Sequence, residues 1–573
     1  MHLMTETHIL IFLLQVALLL GFARALGEVF RRFGQPSITA EILVGIFFGP
    51  TILGRISPEA QEWLFPKDEA QVKMLGTMAW MGILLFLLKA GLETNFATAW
   101  RQRHHAMRLS LCDLTIPMVI AFIPCLFLPE IYMGEDGSPV MFALFVSVIM
   151  TISALPVTAR VLQDLKIYRT DLGLLIMSAL TINDVAGWIV FAIILGFVNE
   201  EMGMTPVDMI FVVGATLVFA TFCLSLGSKW FNKVLGVMQD WKVPEPSGSL
   251  SLVVVTGLLC GAATTWIGIH ALFGFFIGGI MAGEAVNLSQ RTRHVFSQLV
   301  QAILVPLFFA AIGLKLDFLE NFDFMLVLFI LGIGIVGRYL AAYVGGRLIG
   351  QPSLHSRLIA DAHIPGGEMQ IIIGMLALEY GVITETVYVA IVFGAIFTSV
   401  ISGPLMERLL RQIEKIDWLA FLPVDHVLPD LQSRNPEDVI REICLHAGEA
   451  LEPHDLEAVT QAVLHREGEM STALEDCMAV PHARLEGLAR PVVFFGRSIQ
   501  GIDWNSADGR SVRLIFLILT PKDQPDAQIQ ILQGIAKTLR AEVRNKVCEA
   551  PTGTEILEQL RAGSIESAKR KKH

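Results

Sequence analysis

Long apolar stretches dominate the first 405 residues of this 573-residue chain and limit what it can fold into. A helix that crosses the hydrocarbon core of a bilayer needs about 20 mostly apolar residues. By this measure the sequence predicts an all-α, polytopic membrane protein with thirteen spans. The predicted spans lie at residues 8–24, 38–54, 72–91, 106–125, 139–162, 171–198, 207–226, 248–266, 268–284, 297–314, 322–346, 354–378 and 385–405.

The composition supports a membrane protein. Hydrophobic residues make up 53% and charged residues 17% of the chain, and the mean hydropathy is +0.59. These values exclude an ordinary soluble enzyme of this size. The net charge of −11 gives no indication of a nucleic-acid partner. The seven cysteines form no CxxC pair, so we expect neither a zinc site nor a disulfide framework, and we predict no cofactor.

Charges in the connections between the predicted spans alternate along the chain. Lys and Arg concentrate on the cytoplasmic side of membrane proteins. Every second connection is rich in them, such as those that hold Arg31, Arg160, Arg169 and Lys229, and the connections in between carry more acids. This alternation predicts an integral membrane protein with its N-terminus outside and its C-terminal domain in the cytoplasm. We expect the membrane to be the bacterial inner membrane.

Two predicted spans are interrupted in the same way. Residues 151–156 of the fifth span and 363–368 of the twelfth each place a proline inside an apolar run. If the thirteen spans form two groups of six joined by a linking span, the fifth and twelfth spans occupy matching positions in the two groups. Paired broken helices are typical of transporters built from inverted repeats, with the substrate site where the broken helices cross. An ordinary kink in each helix is the alternative, since proline and glycine are common in membrane helices.

Asp184 lies next to Asn183 in the middle of the sixth apolar stretch. An acid at bilayer depth is costly, so it predicts a functional site. Oxygen ligands suit hard monovalent cations such as sodium and potassium, and Thr151 and Ser153 of the fifth span could add hydroxyl oxygens. The four residues form the predicted ion-binding group. Since one carboxylate holds either a proton or a cation, competition for Asp184 would produce exchange. We predict no other metal site.

Two further ionisable side chains lie in predicted spans. Arg338 is in the eleventh span, too far from either end to reach water easily, and Glu368 is in the interruption of the twelfth. Arginine supplies a permanent positive charge where lysine could titrate. We therefore predict that Arg338 and Glu368 balance charge in the ion site.

Six motifs between residues 8 and 405 carry a family resemblance. They are Gln35–Pro50, Ser153–Leu162, Asn183–Asp184, Gly268–Gly274, Pro306–Phe309 and Pro365–Glu368. In this order they resemble the monovalent cation:proton antiporter-2 superfamily, with plant cation/proton exchangers and bacterial Kef-type potassium-efflux and sodium/proton antiporters as similar members. The resemblance implies a homodimer that works as an elevator. It also implies electroneutral exchange, because an Asn-Asp pair stands where other members have two acids.

The chain after residue 405 has the charge and hydrophobicity of a globular protein. We divide the sequence into a transmembrane domain at 1–405, a linker at 406–427 and a cytoplasmic domain at 428–573. Patterns at 435–451, 455–465, 528–539 and 554–560 predict helices, and those at 491–495 and 512–519 predict strands. The domain is therefore expected to be α/β.

The residues around His482 carry a second resemblance. The Arg466-Glu467 pair and the run from Met478 to Arg484 resemble the enzyme IIA domains of the mannitol/fructose class of the sugar phosphotransferase system. The resemblance implies that His482, with Arg484 nearby, accepts a phosphoryl group or belongs to a ligand site. The segment before the histidine is not glycine-rich, and Gln528 replaces a second histidine. We therefore predict a regulatory domain that has lost phosphotransfer, with phosphotransfer itself as the alternative.

These observations lead to three hypotheses about function. The first is a secondary sodium- or potassium-proton antiporter in the lipid bilayer, not an enzyme, regulated through its IIA-like domain by a small molecule or a phosphotransfer protein. The second is a membrane-anchored phosphotransfer protein or sensor whose membrane part does not transport. The third is a gated potassium efflux system. The sequence does not choose between sodium and potassium, which accept the same oxygen ligands.

Overall fold

The computed structural model describes residues 5–32, 37–94, 103–198, 206–410, 417–451, 454–474, 476–506, 508–522 and 524–570. Gln35 and Pro36 of the first family motif, and residues 411–416 of the predicted linker, lie outside these ranges. The chain divides into two compact units. Unit 1 contains Met1–Thr158 and Met177–Met406, and unit 2 contains Ala159–Ile176 and Glu407–His573.

Helices account for nearly all of the regular structure up to residue 410. They are α1 (Glu6–Arg32), α2 (Ser37–Phe48), α3 (Leu53–Ile56), α4 (Pro58–Leu64), α5 (Glu69–Glu93), α6 (Arg103–Cys125), α7 (Pro139–Thr151), α8 (Leu155–Asp164), α9 (Asp171–Val198), α10 (Pro206–Phe222), α11 (Ser228–Asp240), α12 (Ser247–Ile267), α13 (Ala271–Gly283), α14 (Gln290–Leu299), α15 (Val305–Lys315), α16 (Phe324–Leu348), α17 (Ser353–His363), α18 (Glu368–Glu379) and α19 (Glu385–Leu410). Single π-helical turns at Cys223–Gly227 and Val300–Leu304 join α10 to α11 and α14 to α15.

Eleven helices in the described part of the chain are long and apolar enough to cross a membrane, some of them made of two joined segments. The shorter α13 is apolar but has only 13 residues. Residues 353–379 form α17 and α18, of 11 and 12 residues, each too short to span alone. The chain is therefore a helical integral membrane protein, and the count of thirteen spans stays a prediction.

Both interruptions lie where the prolines predicted them. Residues 152–154 separate α7 from α8, and residues 364–367 separate α17 from α18. Proline cannot donate a backbone hydrogen bond and clashes with the preceding turn, so neighbouring backbone groups must find partners elsewhere. In this fold the two interruptions supply some of each other's partners.

Close helix packing in unit 1 depends on glycine. A Cβ atom at Gly45 of α2 would overlap the carbonyl oxygen of Ala310 in α15 and lie 2.9 Å from the Cα of Gly313. We expect Gly45→Ala to lower the free energy of unfolding by about 1–3 kcal/mol, because two backbones would have to separate. Thermal unfolding of the purified protein measures this. Gly21→Ala in α1 is the control, since a Cβ there meets nothing within 4 Å. Equal melting temperatures for the two variants would contradict the prediction.

Unit 2 contains an α/β domain, as the sequence predicted. Its strands are β1 (Val427–Leu428), β2 (Ala473–Leu474), β3 (Met478–Ala479), β4 (His482–Leu485), β5 (Val492–Ile502) and β6 (Val512–Pro521). Its helices are α20 (Pro436–His446), α21 (Leu456–Glu469), α22 (Pro525–Thr538), α23 (Ala541–Glu549) and α24 (Gly553–Arg570). The strand order is β1-β5-β6-β3-β2, and β4 also pairs with β6.

The sheet is covered on both faces. Alternate residues of β5 point to opposite sides, so Val493 and Phe495 pack against one helical layer and Val492 and Phe494 against the other. Helices α22, α23 and α24 cover the first face, and α20 and α21 cover the second. Trp418, which lies in the predicted linker, is also buried in the first layer. The described residues after 416 are therefore part of this unit.

Candidate functional site

The two interrupted helices of unit 1 bind each other directly. The backbone N–H of Ala154 donates to the carbonyl of Pro365 at 2.8 Å. The hydroxyl of Ser153 donates to the carbonyl of His363 at 3.1 Å, and that of Thr158 donates to the carbonyl of Ala362 at 2.7 Å. Backbone groups freed by one interruption thus bond to the other. This arrangement holds irregular backbone inside the protein, where membrane proteins tolerate it.

Helix α9 brings Asn183 to this crossing, and Asp184 is the next residue on the helix. The side-chain N–H of Asn183 donates to the backbone carbonyl of Thr151, the last residue of α7, at 3.0 Å. Both side chains are buried, with 0% and 5% of their surface exposed. The Oδ1 atoms of Asn183 and Asp184 accept no hydrogen bond from any residue that the structure describes. A buried oxygen left without a donor is suited to bind a cation or a proton.

The predicted hydroxyl ligands, Thr151 and Ser153, lie at the first interruption, and each already donates its hydroxyl hydrogen to a backbone carbonyl. Thr151 donates its hydroxyl hydrogen to the carbonyl of Val148 at 2.7 Å, within its own helix. Ser153 uses its hydroxyl hydrogen in the bond to His363. Because each hydroxyl hydrogen is already in a hydrogen bond, the oxygen lone pairs remain to bind a cation. The structure therefore places Thr151, Ser153 and Asn183 at one interruption, and Asp184 follows Asn183 on α9.

Charged side chains of both signs surround the crossing. The guanidinium of Arg338, 1% exposed, donates to the carbonyl of Gly334 at 3.1 Å and to that of Ile152, in the first interruption, at 3.3 Å. Its electrostatic partner is Asp113. Glu368, the other residue predicted to balance charge, is also buried, and the charges nearest to it include Lys89 and Asp184.

Asp113 and His363 belong to this region, although sequence reasoning gave neither a role. The Nδ1 atom of His363 lies 2.7 Å from the carbonyl of Ile359, which only accepts, so Nδ1 carries a hydrogen. The Nε2 atom lies 3.8 Å from a carboxylate oxygen of Asp113, and both side chains are fully buried. A ring lone pair and a carboxylate repel each other unless they share a proton. Asp113 was detectable as an acid inside an apolar run, the signal that identified Asp184.

A second group of polar side chains lies in unit 2 around His482 of β4. Its Nδ1 atom lies 2.8 Å from the carbonyl of Val480, and its Nε2 atom lies 3.3 Å from the carboxylate of Asp171. Asp171, the first residue of α9, also binds Arg466 at 2.8 Å and Arg484 at 3.1 Å. Arg484 further donates to Gln528 at 2.9 Å. The sequence singled out His482 and Arg484, but nothing in it linked them to Asp171, which is 311 residues from the histidine.

Crossed, interrupted helices around a buried Asn-Asp pair define a secondary transporter with discontinuous helices. Residues 16–412 match the family model described as the transmembrane sodium/hydrogen exchanger. The chain therefore belongs to the sodium/hydrogen exchanger family. Residues 420–563 match the EIIA 2 domain of the phosphoenolpyruvate-dependent sugar phosphotransferase system, which agrees with the IIA-like domain expected from the sequence.

Individual relatives agree with this assignment. The chain is 29% identical over 414 residues to the Na⁺/H⁺ antiporter NhaS4 of Synechocystis, covering 71% of this chain and 98% of that protein. It is 30% identical to cation/H⁺ antiporter 19 of Arabidopsis thaliana, covering 70% of this chain and 50% of the plant protein. The solved sodium proton antiporter MjNhaP1 of Methanocaldococcus jannaschii has a TM-score of 0.52 at 16% identity, covering 70% and 99% of the two chains. The similarity to MjNhaP1 shows that residues of this chain share the fold of that protein.

Proposed function

We propose that this protein exchanges a monovalent cation, sodium or potassium, for a proton at Asp184. One observation carries the proposal: the Oδ1 atoms of Asn183 and Asp184 are buried without hydrogen-bond donors among the described residues, and Asn183 binds the end of α7 beside the first interruption. Buried acceptors of this kind require a proton or a cation. The names of the relatives, a Na⁺/H⁺ antiporter and a cation/H⁺ antiporter, support the same substrates.

Exchange follows from competition for one carboxylate. Asp184 with a bound cation and Asp184 with a bound proton are both neutral, whereas the empty site leaves a buried negative charge that is costly to move. Only the occupied forms then change between inward- and outward-facing states. Thr151 and Ser153 complete the proposed ligand set, and Arg338 and Glu368 belong to the proposed charge balance around it.

Proteoliposomes test this function. Protein reconstituted with a pH-sensitive dye inside is exposed to sodium, potassium, lithium or choline on the outside. We expect internal pH to change with at least one of the three metal ions and not with choline. No cation-dependent change with any ion would remove antiport as the function. It would instead favour the second candidate, a membrane-anchored phosphotransfer protein, which the His482 cluster supports.

We expect the exchange to be electroneutral. Asn183 cannot carry a proton and Arg338 keeps its charge, so Asp184 supplies one exchangeable charge per cycle. Currents on solid-supported membranes, recorded with the same preparation that shows pH changes, should not exceed those of protein-free membranes. A current that grows in proportion to the measured proton flux would show net charge movement and contradict one-for-one exchange.

The wider assembly follows from the sequence together with the family. We infer thirteen spans in two inverted six-helix repeats, a homodimer and an elevator movement between its states. The basic connection with Arg160, Lys166 and Arg169 was predicted to be cytoplasmic, and residues 159–176 belong to the same compact unit as the IIA-like domain. This supports the cytoplasmic position of the domain, from which it regulates transport.

A further inference from the structure

A stretch between α8 and α9 contacts the residues around His482 at several points within unit 2. We call residues 165–171 the docking segment. The carbonyl of Leu165 accepts from Gln533 at 3.2 Å, and that of Arg169 accepts from Arg466 at 3.0 Å. The Arg169 side chain donates to the carbonyl of Ser471. These bonds come from two separate parts of the IIA-like domain, α22 and the end of α21 with the turn after it, so the segment is held at both of its ends.

Asp171 is the centre of this contact. Its two carboxylate oxygens face Arg466, Arg484 and His482, and all three side chains are largely buried, with 8%, 21% and 1% exposed. Arginine pairs with carboxylate and phosphate through the same planar donors. A cluster of two arginines and a histidine is therefore an anion site. In this structure the carboxylate of Asp171 is the anion that it binds.

The histidine can use only one ring atom for another ligand. Its Nδ1 hydrogen goes to the carbonyl of Val480, which only accepts, so Nε2 is the atom that faces Asp171. Contact between Nε2 and a carboxylate requires a hydrogen on Nε2. A nitrogen that carries hydrogen has no lone pair for attack on phosphorus. Asp171 and a phosphoryl group thus compete for the same atom and the same arginines.

We propose that the docking segment occupies the anion site of the IIA-like domain, that the domain has kept phosphotransfer rather than lost it, and that a phosphoryl group on Nε2 of His482 displaces the segment. The donor is a protein phosphohistidine. The Nε2 lone pair attacks phosphorus, a new N–P bond forms as the donor's N–P bond breaks, and the donor imidazole takes the hydrogen that Nε2 releases. A phosphoryl group carries a charge of about −1.5 to −2, so it repels the Asp171 carboxylate.

Displacement of the docking segment would affect the proposed ion site because the two are covalently connected through α9. Asp171 begins α9, and Asp184 follows on the same helix about 20 Å further along. The segment also follows α8, the second half of an interrupted helix. Docking therefore restrains both helices, and we expect exchange to be slower when the segment is docked. This last step rests on the proposed antiport function, whereas the docking itself does not.

Two readouts that need no transport test the docking. Hydrogen–deuterium exchange on full-length protein should be about tenfold faster at residues 165–171 in Asp171→Asn than in wild type, because charge-assisted bonds are lost. Arg484→Gln removes the opposite partner and should act similarly. Asp164→Asn is the matched control, since Asp164 is 68% exposed and pairs only weakly with Arg160 at 4.0 Å. Exchange in Asp171→Asn and Arg484→Gln equal to the control would overturn the docking.

Phosphoramidate, a small phosphoryl donor with an N–P bond, tests the competition. We expect phosphohistidine at His482, formed about tenfold faster in Asp171→Asn than in wild type or Asp164→Asn, because an anion no longer covers Nε2. Failure to label His482 in any variant, or equal rates in all three, would overturn the competition.

Transport in proteoliposomes is measured last. Faster exchange in Asp171→Asn supports the coupling and an unchanged rate refutes it. Absence of transport in wild type rejects the antiport function and leaves the first two readouts valid.

Discussion

Replacement of Asp184 by asparagine is expected to reduce cation-dependent proton exchange to the background of protein-free liposomes. The variant keeps the size and hydrogen-bonding capacity of the side chain but can neither carry the exchanged proton nor neutralise a cation. A loss of about 3 kcal/mol in cation binding alone weakens the affinity of the site for the cation about 100-fold. Because asparagine does not titrate, the variant also cannot carry a proton across the membrane in the other half of the cycle. Rates of internal pH change in proteoliposomes measure the effect.

Ser178→Ala is the matched control for this experiment. Ser178 is buried on α9 as Asp184 is, so its replacement tests whether any loss of a polar side chain on this helix slows transport. We expect it to exchange at the wild-type rate. Size-exclusion profiles and melting temperatures establish that both variants fold. Wild-type exchange by Asp184→Asn would show that another residue binds the proton and the cation, and the assignment of the site would be wrong.

The second large effect is expected at Arg338. In Arg338→Met the carbonyl of Ile152 loses its donor, and Asp113 keeps its carboxylate without the neighbouring positive charge. An uncompensated charge in a protein interior costs about 3–5 kcal/mol. We expect a strong loss of thermal stability and exchange slower by about tenfold or more, because the interruption that contacts Asn183 would rearrange. Thermal unfolding and proteoliposome assays measure the two effects.

A double variant separates charge balance from packing. Arg338→Met together with Asp113→Asn removes both charges and should recover part of the lost stability, since paired removal of buried charges is often nearly neutral. If Arg338 contributes only volume and hydrogen bonds, the double variant will be no more stable than Arg338→Met. That outcome would exclude Asp113 as the electrostatic partner of the arginine.

Local sequence signals predicted many of the structural elements. Apolar length predicted the membrane helices, and proline within apolar runs predicted both interruptions, because these effects act on neighbouring residues. A helix of the IIA-like domain was predicted to begin at residue 435, and the Asn435 side chain caps α20 by accepting from the N–H of Asp438 at 2.9 Å. The sequence indicated that Arg338 needs a buried partner but did not identify Asp113, because the identity of a charge partner depends on which helices pack together.

The sequence by itself determined that this chain is a membrane protein with an acid at the centre of a span and an α/β domain at its end. Hydrophobicity, helix breaking and burial of charge are properties of single segments, so they can be read without a fold. Only the tertiary structure decided that Thr151 orients Asn183, that Asp113 faces His363, and that Asp171 binds the groups around His482. These contacts join residues far apart in the chain, and their energies depend on distances that packing alone sets.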